Sequence, residues 1–137
     1  MRTLKLSIIQ SIRTNNFKDV RLLKKISQLW EEVGEQLPEN VIVYAVYHEY
    51  ESDYKGNYSL SIATEDEANG TIEISSDEKY IVYKVDPTLG EQGVFTTWRN
   101  IWRQEEESEM ERTYSIDFEK YYPNGEIEIH IAIKYEC

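Results

Sequence analysis

Lys55-Gly-Asn-Tyr-Ser-Leu-Ser-Ile62 and Asn124-Gly-Glu-Ile-Glu-Ile-His-Ile131 stand 69 positions apart (124 − 55) and are built alike. Each opens on a polar residue followed by glycine, which marks a turn. Each then alternates, so that Tyr58, Leu60 and Ile62 match Ile127, Ile129 and Ile131. Period-two alternation makes both segments the outgoing strand of a hairpin with one apolar face. Upstream of the two hairpins lie Gln28-Leu-Trp30 and Thr97-Trp98-Arg-Asn-Ile-Trp102, both in helical stretches. Upstream of those lie two alternating strands, Thr3-Leu-Lys-Leu-Ser-Ile-Ile9 and Tyr80-Ile-Val-Tyr-Lys-Val85. The chain therefore reads β-α-β-β twice, over residues 3–65 and 72–136. Two copies at so long a period indicate a duplication and not a solenoid, whose repeats run to about 50 residues. The expected fold is α+β: one antiparallel sheet, two helices packed on one side, an approximate internal twofold and a central groove between the halves.

The segments between these anchors fill in the pattern. Asn15 or Asn16 is placed to cap a first helix. Its stripe is Phe17, Val20, Leu23, Ile26, Leu29, Trp30 and Val33, and it ends near Gly34. Val41 to Tyr47 is β-branched and aromatic, which favours a strand. Residues 65–70 form a polar linker. Thr71 to Ile74 and Lys79 to Val85 read as one strand broken by a turn at Ser76-Asp77, followed by a hinge loop over 86–93. A second helix is expected over about 94–107, then strands over 112–121 and 126–135. The Ile127, Ile129, Ile131 and Ile133 row should face the helices. Glu105 to Glu111 carries five acidic residues and no apolar period, and reads as a solvated connection.

Charge narrows the function classes. The 137 residues carry 26 acidic and 15 basic side chains, for a formal charge of −11. Such a surface repels phosphate backbones and argues against direct nucleic-acid binding. No segment approaches the roughly 20 apolar residues that cross a bilayer, and the first residues lead into an alternating strand with no signal-peptide run. The expectation is one cytoplasmic domain without a membrane partner. Strand 1 begins at about residue 3, so no helix-turn-helix precedes it and the chain reads as a stand-alone module. The single cysteine, Cys137, allows no intrachain disulfide. His48 and His130 stand alone on different strands, which speaks against a metal site. Gly90-Glu-Gln-Gly93 lacks the lysine of a phosphate loop, and no cofactor is implied.

The aromatics are the informative residues. Eleven tyrosines and three tryptophans include several beside carboxylates, as in Tyr47-His-Glu-Tyr50-Glu51 and Phe118-Glu119-Lys-Tyr121-Tyr122. A ring presents a negative π face and a carboxylate supplies a counter-charge, so the combination suits a lipophilic organic cation. Tyrosine is also an ordinary strand residue, and Tyr44, Tyr80, Tyr83, Tyr135 and Trp30 read as structural. In the strand over 112–121, Ser115, Asp117, Glu119 and Tyr121 share one polar face. Spacing alone makes Glu119 a solvent-facing carboxylate.

The order Tyr47, Gly56-Asn-Tyr58, Tyr80-Ile-Val-Tyr83, Trp98-Arg-Asn-Ile-Trp102, Asp117-Phe-Glu119-Lys-Tyr121 and Glu128-Ile-His-Ile131 resembles the GyrI-like small-molecule-binding domains, also called bacterial effector-binding domains. The resemblance covers nearly the whole chain. It implies two β-α-β-β repeats around a groove, often the ligand-sensing half of multidrug-responsive transcription regulators. Glu119 matches the family's buried acid that meets cationic ligands, Trp98 and Trp102 its helix aromatics, and Tyr58 the aromatic after the glycine turn. Tyr47 and Tyr121 join them as wall residues by alternation. Two features depart from the family: Ile131-Ala-Ile133 lacks its proline near the end of the last strand, and the acidic stretch before Arg112 lacks its Pro and Gly turn residues. The implied function is binding of a lipophilic, cationic small molecule, for sensing or sequestration linked to transcription regulation. Two alternatives stand beside it. One is a hydrolase of electrophilic, cyclopropane-bearing xenobiotics with Glu119 as general base. The other is a protein-interaction module whose partner is a regulator or DNA gyrase.

Overall fold

A computed structural model of the chain describes residues 3–134. Tyr135 and Cys137 fall outside that range. The elements in order are β1 (Leu4–Thr14), α1 (Leu22–Gly34), β2 (Val43–His48), β3 (Tyr58–Glu65), β4 (Ile72–Ile74), β5 (Tyr80–Lys84), a 3-10 turn (Pro87–Leu89), α2 (Glu91–Glu106), β6 (Asp117–Tyr121) and β7 (Ile127–Ala132). They form one seven-stranded antiparallel sheet in the order β4-β1-β3-β2-β6-β7-β5. The halves of the chain meet at the central pairing of β2 with β6.

The expected turn at Ser76-Asp77 divides two strands that sit on opposite edges of this sheet, β4 beside β1 and β5 beside β7. That placement forces the sheet to curl. Seven strands laid flat at the usual spacing would put the edges about 29 Å apart. The chain from Ile74 to Tyr80 reaches only about 20 Å when fully extended. The curl brings Ile72 and Ile74 of β4 and Tyr80 of β5 around Leu6, Tyr44, Val46, Ala63 and Phe118, which close one face of the sheet as an apolar core.

The other face carries the helices. Alternation sends Ala45, Tyr58, Leu60 and Ile62 against Leu29 and Val33 of α1. Ile129 and Ile131 pack against Trp98 and Ile101 of α2, with Ile127 and Ile133 at the margin, so the isoleucine row does face a helix. A bulge between Ile8 and Gln10 shifts the register of β1. Leu4 and Leu6 therefore lie on the closed face while Ile9 and Ile12 lie under α1.

Four expectations need correction. The first helix starts at Leu22 and not beside Asn15. The Asn15 side chain accepts from the amides of Phe17 and Lys18, and Asp19 accepts from that of Arg21. These two caps hold residues 15–21 as successive turns. Phe17, Val20 and Leu23 consequently leave the buried stripe and are exposed, while Leu29 and Val33 are buried and Ile26 and Trp30 half-buried. Second, α2 begins at Glu91, so the hinge before it is one 3-10 turn. Third, β6 begins only at Asp117: Tyr114 has φ +57°, which breaks the extended chain, and Arg112 keeps a single bridge to Ile133. Fourth, the acidic stretch is anchored. Met110 is buried and Glu105 accepts a hydrogen bond from the Tyr114 hydroxyl.

The linker before β4 rests on the backbone of β1. The Gly70 amide donates to the Asp66 carbonyl and that of Thr71 to the Leu6 carbonyl, each at 2.9 Å. A Cβ on Gly70 would stand 2.7 Å from the Leu6 nitrogen and 2.6 Å from the Asp66 carbonyl oxygen. Gly70→Ala is therefore expected to destabilise by about 1–3 kcal/mol, the usual range for overpacking. Gly34→Ala, with nothing within 4 Å of the new methyl, should be neutral or slightly stabilising. Urea denaturation of both variants checks this, and a Gly70→Ala protein as stable as wild type would show that the linker does not sit on β1.

Candidate functional site

A cavity of about 870 Å³ lies between the helix face of the sheet and the two helices. That is within the range of pockets that take a drug-sized molecule. Its floor comes from strand alternation: Tyr47 of β2, Tyr58 and Leu60 of β3, Glu119 and Tyr121 of β6, and Ile127 of β7. One wall is α1, with Ile26 and Trp30, and the other is α2, with Val94, Trp98 and Trp102. Phe17, Tyr50 and Tyr54 enter from the loops. At the mouth, Phe17, Leu23 and Phe95 are each more than half exposed.

Glu119 sits at the central seam. Its neighbours across the strands are Ala45 and Ile129. The small Ala45 side chain leaves room beside the carboxylate. Tyr47, diagonal to Glu119 across the β2–β6 pair, donates its hydroxyl to Oε2 at 2.7 Å, and the Trp98 indole Nε1 donates to the same oxygen at 2.7 Å. Tyr121, two residues along β6, donates to Oε1 at 2.6 Å. The carboxylate is 3 % exposed. Hydrogen bonds to an ionised group each contribute about 1.5–3 kcal/mol, and a carboxylate has about four acceptor sites, of which three are filled here. Burial pushes the Glu119 carboxyl above the usual carboxylate range, and the donors from Tyr121, Trp98 and Tyr47 pull the other way. The Tyr47 and Tyr58 hydroxyls are pushed up in turn, by burial first and by the Glu119 charge second, so both stay protonated donors.

The rings form a continuous wall. Tyr47 packs on Trp98 at 4.9 Å and on Tyr58 at 5.5 Å between centroids. Trp102 stacks on Tyr54 at 5.5 Å and 15°, and Phe17 leans on both. Trp30 meets Tyr121 edge to face at 5.2 Å.

A second polar cluster borders the cavity. Arg112 and Asp117 are buried, and Arg112 Nη2 donates to Asp117 Oδ2 at 2.8 Å. Tyr50 donates to the same oxygen, and the Ala132 amide donates to Oδ1 at 2.7 Å. Burial works against the guanidinium's charge, yet the Asp117 carboxylate beside it keeps it protonated. Breaking such a pair by removing one member costs about 3–5 kcal/mol, so the cluster also pins β6 to β7. Arg112 lines the cavity, and its Nε and Nη1 make no hydrogen bond to any described residue.

Glu119, Trp98, Trp102, Tyr58, Tyr47 and Tyr121, the six residues singled out from sequence, all line this one cavity. Glu119 is buried and not solvent-facing, because the polar face of β6 is the one turned toward the helices. Sequence reading missed Trp30, Tyr50, Tyr54, Phe17 and Arg112. The Tyr47-His-Glu-Tyr50 grouping was a signal for Tyr50. Tyr54 and Phe17 sit in turns, where no period reveals direction, and Arg112 was placed at a strand end that the chain does not form.

Comparison with known proteins agrees with this architecture. A solved integron cassette protein from the mobile metagenome of Vibrio cholerae superposes with a TM-score of 0.76, at 24 % identity over 98 % of this chain and 92 % of that one. The structure of SAV2435 bound to tetraphenylphosphonium superposes with a TM-score of 0.67, at 16 % identity over 98 % and 90 % of the two chains. At these identities both likenesses show the fold. The Bacillus subtilis (strain 168) protein named "Putative transcriptional regulator protein YobU" is 26 % identical over 90 % of this chain and 89 % of its own length. The family model described as Cass2, integron-associated effector binding protein, matches residues 8–133. With the GyrI-like fold expected from sequence in place, the chain belongs to this Cass2 family of effector binding proteins.

Proposed function

We propose that the protein binds a lipophilic, cationic small molecule in the cavity between helices and sheet, with Glu119 as its counter-charge. Binding would serve to sense or sequester that molecule in a process linked to transcription regulation. The observation that carries this reading is a buried carboxylate, held by two tyrosine hydroxyls and an indole, at the floor of a cavity walled by aromatic rings. Without a ligand the carboxylate's charge has no positive partner among the hydrogen bonds it makes. A delocalised cation placed over Tyr47 and Trp98 would supply one, and the rings would solvate its apolar body. The exposed Phe17, Leu23 and Phe95 at the mouth give such a ligand an apolar path inward. The tetraphenylphosphonium held by SAV2435 and the regulator name of YobU support the chemistry and the biological role respectively. Catalysis by Glu119 as general base is less well served, because the hydroxyls of Tyr47 and Tyr121 and the Trp98 indole already occupy both of its oxygens.

Isothermal titration calorimetry with tetraphenylphosphonium and neutral triphenylphosphine oxide tests the reading. Wild type should bind the cation, and Glu119→Gln should weaken it at least tenfold, about 1.4 kcal/mol, while leaving the neutral compound within about twofold. Equal loss for both compounds, or loss for neither, would contradict the role of Glu119.

The pH dependence has a definite sign. The folded-state pKa of Glu119 is raised above its ordinary 4.5. Between the unfolded value and the raised one the native state binds more protons, so this group's contribution to stability falls as pH rises through that window. Cation affinity should run the opposite way, rising with pH as Glu119 ionises. Affinity for tetraphenylphosphonium that is flat from acid to neutral pH would contradict this assignment.

A further inference from the structure

We infer that Arg112 gives the cavity a second polar anchor, so that the favoured ligand is amphoteric: a lipophilic cation that also carries a carboxylate or similar acceptor. This rests on the proposed function and specifies its ligand class.

The argument begins with the donors that Arg112 leaves unused. Its side chain is 1 % exposed and lines the cavity. Nη2 is committed to Asp117, while Nε and Nη1 make no hydrogen bond to any described residue. The ring of Tyr114 covers one side of the guanidinium, 4.3 Å from its Cζ. Glu105 is the nearest further carboxylate, and its Oε1 stands 3.6 Å from Arg112 Nη1. That distance keeps an ion pair but exceeds a hydrogen bond, and Glu105 Oε1 also accepts from no donor among the described residues. Neither nitrogen has accessible surface, so an acceptor from the cavity reaches Nη1 only by displacing the Glu105 carboxylate and replacing its ion pair.

Position then sets the shape of the ligand. Trp98 separates the two poles. Its indole Nε1 binds Glu119, and its ring lies 5.8 Å from the Arg112 Cζ. A cation resting at Glu119 along the aromatic wall would therefore extend an acidic substituent past Trp98 to Arg112.

Calorimetry on the full chain, at neutral pH and physiological salt, with butyltriphenylphosphonium and its carboxybutyl analogue decides the matter. The carboxylate analogue should bind about tenfold more tightly. Glu105→Gln, which leaves the Arg112–Asp117 pair intact and removes the competing charge, should widen that advantage. The double variant Arg112→Gln with Asp117→Asn, which avoids leaving Asp117 as an unpaired buried charge, should abolish that advantage. Equal affinity of the two compounds for wild type overturns the inference and leaves Glu119's role standing. An advantage that survives the double variant, or fails to widen in Glu105→Gln, overturns it as well. Binding of neither compound overturns both this inference and the proposed function.

Discussion

The structure depends on a carboxylate held away from water by three neutral donors. Glu119 lies where β2 and β6 join the two halves of the chain, and Tyr47, Trp98 and Tyr121 bring a strand from the first half, the second helix and its own strand to its two oxygens. Neutral donors solvate an anion without cancelling its charge. The site is thus left short of one positive charge, which under the proposed function a cationic effector would supply. The rest of the fold serves to hold this arrangement open: the curled sheet keeps its own apolar core on the opposite face, so the helix face need not be filled completely.

The cavity combines a floor built from strands with a mouth built from turns and helix starts. Its floor consists of strand residues in a continuous ladder, with positions fixed by register. Its mouth consists of turns and helix starts, where the Asn15 and Asp19 caps hold Phe17 out against Tyr54 and Trp102 instead of in the core. Apolar side chains exposed there are costly in water and gain by covering a lipophilic guest. Behind the floor, Asp117 ties Arg112, Tyr50 and the Ala132 amide together, so the wall beside Trp98 is stiffened by an ion pair.

Much of this was legible in the sequence, for physical reasons that particular residues make clear. The paired glycine turns at Gly56 and Gly125 announce strands whose alternation decides which side chains face the helices, and period two is a strict geometric rule. That rule is why Tyr47 and Tyr121 could be assigned to the groove, whereas Tyr58 and Glu119 were placed there by the family resemblance. The rule could not say whether the face that carries Glu119 was wet, because burial of Glu119 depends on α2 packing over it, a contact between segments far apart in sequence. The helix start was misjudged because Asn15 caps a turn with the same side-chain geometry that it would use to cap a helix. The acidic stretch was misjudged because composition reports average solvation, whereas Glu105 is held by one hydroxyl and faces one guanidinium.

The central claim is that Glu119 is a desolvated anion awaiting a positive partner. A carbon-13 NMR titration of the Glu119 side-chain carboxyl, identified by its loss in Glu119→Gln, measures this directly in the free protein and in the presence of a saturating lipophilic cation. The account requires the free carboxyl to titrate above the ordinary glutamate range and to shift downward when the cation is bound. Titration in the ordinary range, or a midpoint that the cation does not move, would contradict it.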